Sequence, residues 1–372
     1  MDTLRGRSSL KSQCDEKRIF LQIIFGLILS VNLYAEVSSK EVKIGVIVPL
    51  SGDMSLHGVE VQRAMRLALD KADSNNLGYD YKLIFEDNRL DAAKSVAAAQ
   101  KLINLDHVDA IVTLWPPTAV VVAPLTERAG ILHYTIAWDP DLAKQNKLVL
   151  SHQVMVSDIA RRTLALLKQQ GKDQIAFFHM EESGFNLGAK YIKELASSEG
   201  IDLVVDETFN PAETDFRSLI EKAISKKPTG YLIWSVMPSM DLLIRQIKTR
   251  DSSAFITGYF DYAEDSSEIQ KTPYVSEMFA APQFVSEYKA KYSDEPKSKA
   301  ANAFDIMNLL IKAFESSPSK KLSGVEAKNF LKTMHDISGA VGTFSIDSNG
   351  NSYYEPVIRE AIGSNRKLFG AG

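Results

Sequence analysis

Short apolar runs alternate with helically spaced apolar residues from about residue 42 to residue 256. The first run ends at Pro49, and the chain then turns through Ser51-Gly52-Asp53. Apolar residues then recur at i, i+3 and i+4, a spacing that predicts one face of a helix. These positions are Val61, Ala64, Met65, Ala68, Leu69 and Ala72. The opening of the chain is therefore a strand followed by a helix.

The same strand–helix unit repeats along the chain, which predicts an α/β protein. Repeats of this length indicate parallel sheets covered by helices on both faces. The predicted strands are 43–48, 81–85, 109–114, 131–136, 148–154, 174–178, 201–208, 230–234 and 254–257. The alternation restarts after residue 154, so we expect two similar lobes. Residues 284–314 are mostly helical in pattern, and 341–350 predicts a late hairpin around an Asn-Gly turn.

The first 35 residues have the pattern of an export signal. Basic residues precede an almost wholly apolar run from Ile19 to Leu33, and Ala35 is the small residue that a signal peptidase prefers. The run of about 15 residues is short of the roughly 20 that a membrane-spanning helix needs. An uncleaved N-terminal anchor is the alternative. Cleavage would remove Cys14, the one cysteine, so we expect no disulfide.

Charge and motifs exclude several classes of function. The formal net charge is −4 and no block of Lys and Arg occurs after residue 35, which argues against nucleic-acid binding. We find no nucleophile elbow, phosphate-binding loop, dinucleotide fingerprint or paired zinc histidines. The six histidines lack metal-ligand spacing. We therefore expect no catalytic site, no metal and no cofactor.

All three tryptophans follow predicted strands. Trp115, Trp138 and Trp234 come at or just after the carboxyl ends of their strands. In open parallel sheets, ligands bind beyond those ends. Each tryptophan alone could simply cap the core of its lobe, but three at equivalent positions favour an aromatic-walled pocket.

Several segments together resemble one family, the type I periplasmic binding proteins, in their branched-chain amino acid (leucine/isoleucine/valine) branch. The likeness runs from about residue 41 to 365 and rests on order and spacing. The segments that carry it are Pro49-Leu-Ser-Gly52, Phe284-(x)3-Tyr288-Lys-x-Lys-Tyr292, Ala303-Phe-Asp305 and Val341–Gly350. The resemblance implies two Rossmann-like lobes with parallel sheets, joined by a multi-strand hinge. It also implies lobe boundaries at 36–153 plus 283–342 and at 154–282 plus 343–372.

The resemblance implies a function as well. It predicts a monomeric periplasmic protein that closes on a small-molecule ligand and delivers it to the membrane permease of an ABC transporter. A ligand-sensing receptor subunit that uses the same clamp for signalling is the alternative. Closure would be a hinge motion whose equilibrium the ligand shifts by touching both lobes.

The family's ligand positions, together with the strand-end Trp234, give ten candidate residues in this chain. In the family, a Ser-rich loop holds the ligand carboxylate, but here that loop reads Trp115-Pro-Pro-Thr118, and proline has no N–H to donate. We therefore expect an altered ligand with an apolar, aromatic or cationic body rather than a simple aliphatic amino acid. Asp139 offers a carboxylate beside the carbonyl that meets the ligand amine, although a helix N-cap is an equally good explanation of this residue. His57 matches a cleft-lining position, with a plain rim residue as the alternative. The complete predicted set is His57, Trp115, Thr118, Ala137, Trp138, Asp139, Phe185, Trp234, Phe260 and Asp261.

Overall fold

The computed structural model describes residues 40–73, 77–259, 266–277, 280–297, 299–317, 319–362 and 365–369. The predicted signal segment, residues 1–35, lies outside the described residues. No helix among those described is long and apolar enough to span a membrane.

The first lobe is a five-stranded parallel sheet with the strand order β2-β1-β3-β4-β5. Its strands are β1 (Lys40–Val48), β2 (Tyr79–Asp87), β3 (Ala110–Leu114), β4 (Leu132–Ile136) and β5 (Val149–Ser151). The helices between them are α1 (Ser55–Asp73), α2 (Ala92–Lys101), α3 (Pro116–Ala129) and α4 (Pro140–Gln145). A π-helical turn, Leu102–Asp106, extends α2. Both faces of β3 and β4 are buried, as expected for parallel strands covered by helices on both faces.

The second lobe repeats this arrangement with a four-stranded parallel sheet in the order β7-β6-β8-β9. Its strands are β6 (Gln174–Met180), β7 (Asp202–Phe209), β8 (Gly230–Trp234) and β9 (Ile256–Gly258). Its helices are α5 (Val156–Gln169), α6 (Ser183–Ala196), α7 (Arg217–Ser225) and α8 (Ser239–Arg250). The two sheets confirm the predicted α/β fold of two lobes with parallel sheets.

The C-terminal third returns to both lobes. The remaining elements are β10 (Pro273–Ser276), α9 (Pro282–Tyr292), α10 (Ala300–Glu315), α11 (Gly324–Leu331), β11 (Ile337–Gly339), β12 (Gly342–Ile346), β13 (Ser352–Tyr353), β14 (Val357–Ile362) and β15 (Asn365–Leu368). Helix α10 packs along α1, which attaches it to the first lobe. Strand β10 lies beside β9 and pairs with β14 on the second-lobe side.

The pairing of β11 to β13 bears on where the lobes divide. Strand β12 pairs with β11 and with β13, and Asn351 bridges to Ser151 at the end of the first-lobe sheet. The segment 342–353 therefore stays beside the first lobe. We propose that the last crossing lies after Tyr353, about ten residues beyond the expected boundary at 342–343.

Candidate ligand site

The carboxyl ends of the strands in both sheets carry aromatic residues. Trp115 directly follows β3, Trp138 comes two residues after β4, and Trp234 is the last residue of β8. Tyr259, which we did not predict, directly follows β9. Phe185 lies in the first turn of α6, which follows β6. Ligands of open parallel sheets bind at this edge, so these residues mark the candidate site.

Trp138 connects the two lobes. Its ring lies edge-on to Phe185 of the second lobe, with centroids 6.1 Å apart, and edge-on to Tyr259 at 5.6 Å. The ring of Trp234 continues the series at 6.0 Å from Tyr259. Trp138 is 6% exposed and Trp234 is 0% exposed. We call these four residues, Trp138, Phe185, Tyr259 and Trp234, the aromatic wall.

Two glycines of α6 allow both tryptophans to lie against this helix. A Cβ atom at Gly188 would come within 2.5 Å of Nε1 and Cε2 of Trp234. A Cβ atom at Gly184 would lie 3.0 Å from Cζ2 of Trp138. Residues four apart share one helix face, so the two indoles lie one turn apart along α6. A side chain at position 188 would force Trp234 to move.

Both indole N–H groups of the wall are buried donors. Nε1 of Trp138 and Nε1 of Trp234 have no hydrogen-bond partner within the described part of the chain. A buried donor without an acceptor costs roughly 1–3 kcal/mol, and buried indole N–H groups usually find a partner. The wall therefore offers two unused hydrogen-bond donors.

His57 and Trp115 form a second aromatic pair, in the first lobe. Their rings meet edge-on with centroids 5.1 Å apart. Burial, followed by the positive charges of Lys299 and Lys297, lowers the pKa of His57 to about 4, so the imidazole is neutral at pH 7. Trp115 has a φ of +67°, a region that is strained for any residue except glycine and is found most often at functional sites.

The polar groups predicted in the first lobe have partners within that lobe. The amide of Asn88 donates to the hydroxyl of Thr118 at 3.0 Å. The hydroxyl of Ser151 donates to the carbonyl of Ala137. Asp139 accepts a hydrogen bond from the backbone N–H of Asp141 and is the N-cap of α4, in agreement with the N-cap alternative. Burial raises the pKa of Asp139. Its role toward a ligand stays a prediction.

Phe260 and Asp261 lie outside the described residues, so their predicted contacts also stay predictions. Their neighbour Tyr259 is described, and its hydroxyl donates to the buried carboxylate of Glu277 at 3.0 Å. The sequence offered one signal for Tyr259, its place directly after an apolar strand. It offered none for Glu277, which lies at the end of β10.

The described residues contain no group of three or more His, Cys, Asp or Glu side chains that could hold a metal ion. A groove of about 460 Å³ lies in the first lobe between α1, α9 and α10. It shares no residue with the aromatic wall, so we place the candidate site at the wall, where the two lobes meet.

Comparison with known proteins agrees with this architecture. A family model described as periplasmic binding protein matches residues 41–357. The Leu/Ile/Val-binding protein BraC3 of Rhizobium johnstonii is 25% identical over 234 residues, which are 60% of this chain and 63% of that protein. This chain thus spans less than two thirds of that relative's length.

Two solved structures share the fold. A leucine binding protein LivK from Thermotoga maritima superposes with a TM-score of 0.77 at 21% identity, covering 88% of this chain and 97% of its own. An ABC transporter solute binding protein from R. palustris in complex with benzoate also gives 0.77, at 16% identity, covering 89% and 96%.

Proposed function

This chain belongs to the periplasmic binding protein family, in its branched-chain amino acid branch, and from that premise we propose that it captures a small molecule between its lobes and delivers it to the permease of an ABC transporter. The observation that carries the proposal is Trp138. This first-lobe residue contacts Phe185 and Tyr259 of the second lobe, so the candidate site is built from both lobes. A ligand that touches both lobes stabilises the closed form.

Members of a periplasmic family must leave the cytoplasm, so the family of this chain supports its export. We propose that residues 1–35 are a cleaved signal and that the mature chain begins at Glu36 in the periplasm. N-terminal sequencing of protein recovered from the periplasm tests this. An intact apolar segment in the recovered protein would overturn it and favour the anchored receptor.

The ligand that the wall fits best has an aromatic body. Four aromatic side chains offer flat apolar surfaces, and aromatic pairs gain about 0.5–1.5 kcal/mol beyond the burial of their area. The polar groups of the first lobe that would bind an amino acid already have partners within that lobe. One relative of the same fold was solved with benzoate, which shows that this architecture accommodates an aromatic acid.

The indole N–H of Trp138 refines this ligand class. A ligand with an acceptor atom, such as a carboxylate or carbonyl oxygen, would satisfy this buried donor where the lobes meet. The aromatic surface, and not this donor, distinguishes an aromatic acid from leucine, because both carry a carboxylate. We therefore propose an aromatic compound with an oxygen acceptor as the ligand class.

A thermal-shift screen tests the ligand class. Benzoate and its hydroxylated forms are compared with leucine, isoleucine and valine, and native mass spectrometry identifies any molecule that copurifies. We expect an aromatic acid to raise the melting temperature and to change the tryptophan fluorescence. Strong stabilisation by micromolar leucine, with none by aromatic acids, would overturn the proposed class.

Delivery to a permease is tested in cells. Deletion of the gene should abolish uptake of the labelled ligand that the screen identifies, and the intact gene should restore it. Uptake that persists at the normal rate, combined with a lost transcriptional or behavioural response to the ligand, would instead support the receptor function.

A further inference from the structure

A single buried carboxylate links four distant parts of the chain. Glu277 accepts hydrogen bonds from the amide of Gln153 at 2.5 Å, from the hydroxyl of Tyr259 at 3.0 Å and from the ammonium group of Lys299. Lys299 is 0% exposed, Tyr259 and Gln153 are 1% exposed, and Glu277 is 4% exposed. We call these four residues the Glu277 cluster.

The four residues come from both lobes and from both segments that first connect them. Gln153 lies between β5 of the first lobe and α5 of the second, where the chain first crosses. Glu277 follows β10, where the chain crosses back toward α9. Lys299 precedes α10 of the first lobe, and Tyr259 follows β9 of the second. The carboxylate of Glu277 therefore joins two crossing segments to one residue of each lobe.

The cluster also extends into the aromatic wall. The ring of Tyr259 lies between Trp138 and Trp234, while its hydroxyl donates to Glu277. The wall and the crossing segments are thus connected through one side chain. A rotation of the Tyr259 side chain about χ1 would move its hydroxyl away from Glu277.

A buried ion pair is weak evidence for stability, but in some proteins it fixes one arrangement of its surroundings. A buried ion pair loses its hydration, and its attraction offsets this loss only in one favourable geometry with further hydrogen bonds. Gln153 and Tyr259 supply those additional bonds here. The residues that act as hinges in domain closure are a few loop or element-terminal positions, and Gln153 and Glu277 occupy such positions in the crossing segments.

We propose that Glu277 is a positioning residue that couples the aromatic wall to lobe closure. It holds the ring of Tyr259 in the wall and, through Gln153 and Lys299, favours the lobe angle at which the wall is complete. The inference deepens the proposed solute-binding function and rests on it for the meaning of closure. A ligand that packs on Tyr259 would then act directly on the hydrogen bonds between the crossing segments.

Removal of one oxygen atom tests the coupling. Tyr259→Phe keeps the ring and deletes the bond to Glu277. Tyr231→Phe is the matched control. Tyr231 is buried in the same lobe but lies near the start of β8, at the end of this strand away from Trp234 and the aromatic wall. Spin labels at Lys94→Cys on α2 and Glu194→Cys on α6, both exposed positions, report the distance between the lobes in a Cys14→Ser background.

The distance distribution without ligand is the decisive measurement. We expect Tyr259→Phe to broaden it or to shift it toward longer distances, and Tyr231→Phe to leave it unchanged. Identical distributions in all three proteins would overturn the proposal. Glu277→Gln should give a larger shift, and if that variant fails to fold, Tyr259→Phe still decides.

Benzoate titration then separates this inference from the ligand proposal. If benzoate binds the parent chain, Tyr259→Phe should weaken its binding by roughly fivefold or more, the usual lower range of coupling between sites. If benzoate does not bind but the distances shift, the coupling stands and the ligand class is wrong. If benzoate binds equally to both proteins and the distances do not shift, the coupling is wrong and the ligand class stands.

Discussion

The two lobes are built from the same strand–helix units but use their polar groups in different ways. In the first lobe, Thr118, the carbonyl of Ala137 and Asp139 all have partners within that lobe. In the second lobe, Phe185, Tyr259 and Trp234 present aromatic rings, and an indole N–H there has no partner among the described residues. The first lobe thus bonds these polar groups internally and also carries Trp115 and Trp138 at its strand ends, whereas the second-lobe residues named here contribute aromatic rings.

The residues at a few strand ends therefore set the chemistry of the candidate site. The sheets and helices need only hold those ends at the cleft. A first lobe that uses its polar groups internally has fewer left for an amino-acid head group, whereas unused donors in the wall favour a ligand that supplies acceptors.

The largest expected effect comes from placing a side chain where Trp234 packs against α6. Gly188→Ala places a methyl group within 2.5 Å of the indole. Overpacking of this kind costs typically 1–3 kcal/mol, and we expect about 3 kcal/mol of lost unfolding free energy because the ring has no free space. Chemical denaturation followed by tryptophan fluorescence measures the loss.

Gly184→Ala is the matched control on the same helix. Its Cβ atom would meet Trp138 of the other lobe at 3.0 Å, so we expect a small loss of stability and a larger loss of ligand affinity. Equal losses of stability in both variants would break the distinction between a contact within one lobe and a contact across the cleft.

A smaller effect is expected from removing the ring of Phe185 in the second lobe. Phe185→Ala should weaken binding of an aromatic acid by about 2 kcal/mol, within the usual range for a buried aromatic anchor. Calorimetry with benzoate measures this. Phe330→Ala on α11 is the control, because Phe330 is half-buried in the first lobe and is not part of the wall. Unchanged affinity in Phe185→Ala would show that the second-lobe surface does not meet the ligand.

The sequence predicted the framework well because its physical signals are local. Buried parallel strands such as β3 and β4 are short and mostly apolar, and Trp115 and Trp138 follow them within two residues. The Glu277 cluster could not be predicted in this way. Glu277 and Lys299 are far apart along the chain, and no local pattern distinguishes a buried ion pair from two solvated charges. The role of Asp139 could not be predicted either, because a helix N-cap and a ligand contact can both use an aspartate.

An acid titration tests whether His57 is buried in the first lobe. Its pKa is lowered to about 4 by burial, whereas the unfolded chain binds the proton near pH 6.5. The unfolded state therefore binds more protons between these values, and stability falls as the pH drops from about 6.5 to about 4. His57→Gln should flatten this fall, although buried His133, whose pKa is lowered to about 3, keeps part of it.

The control for the titration is His335→Gln, at an exposed position. It should reproduce the parent profile of melting temperature against pH. A His57→Gln profile that also matches the parent would show that this imidazole is solvated, and the first-lobe aromatic pair would then be open to water.

The smallest expected effect comes from Asp139, and it tests the first-lobe half of the comparison most directly. Asp139→Ala removes the side chain that caps α4, so we expect a loss of about 1 kcal/mol in unfolding free energy. Asp139→Asn keeps a capping oxygen and removes the charge, and Asn caps helices about as well as Asp. If Asp139 acts only within its lobe, Asp139→Asn should retain both the stability and the affinity for benzoate, measured by denaturation and calorimetry. A marked change in affinity in Asp139→Asn at unchanged stability would mean that the carboxylate faces the ligand. The first lobe would then contribute charge to recognition, as the carboxylate in this loop first indicated, and the contrast between the two lobes would not hold.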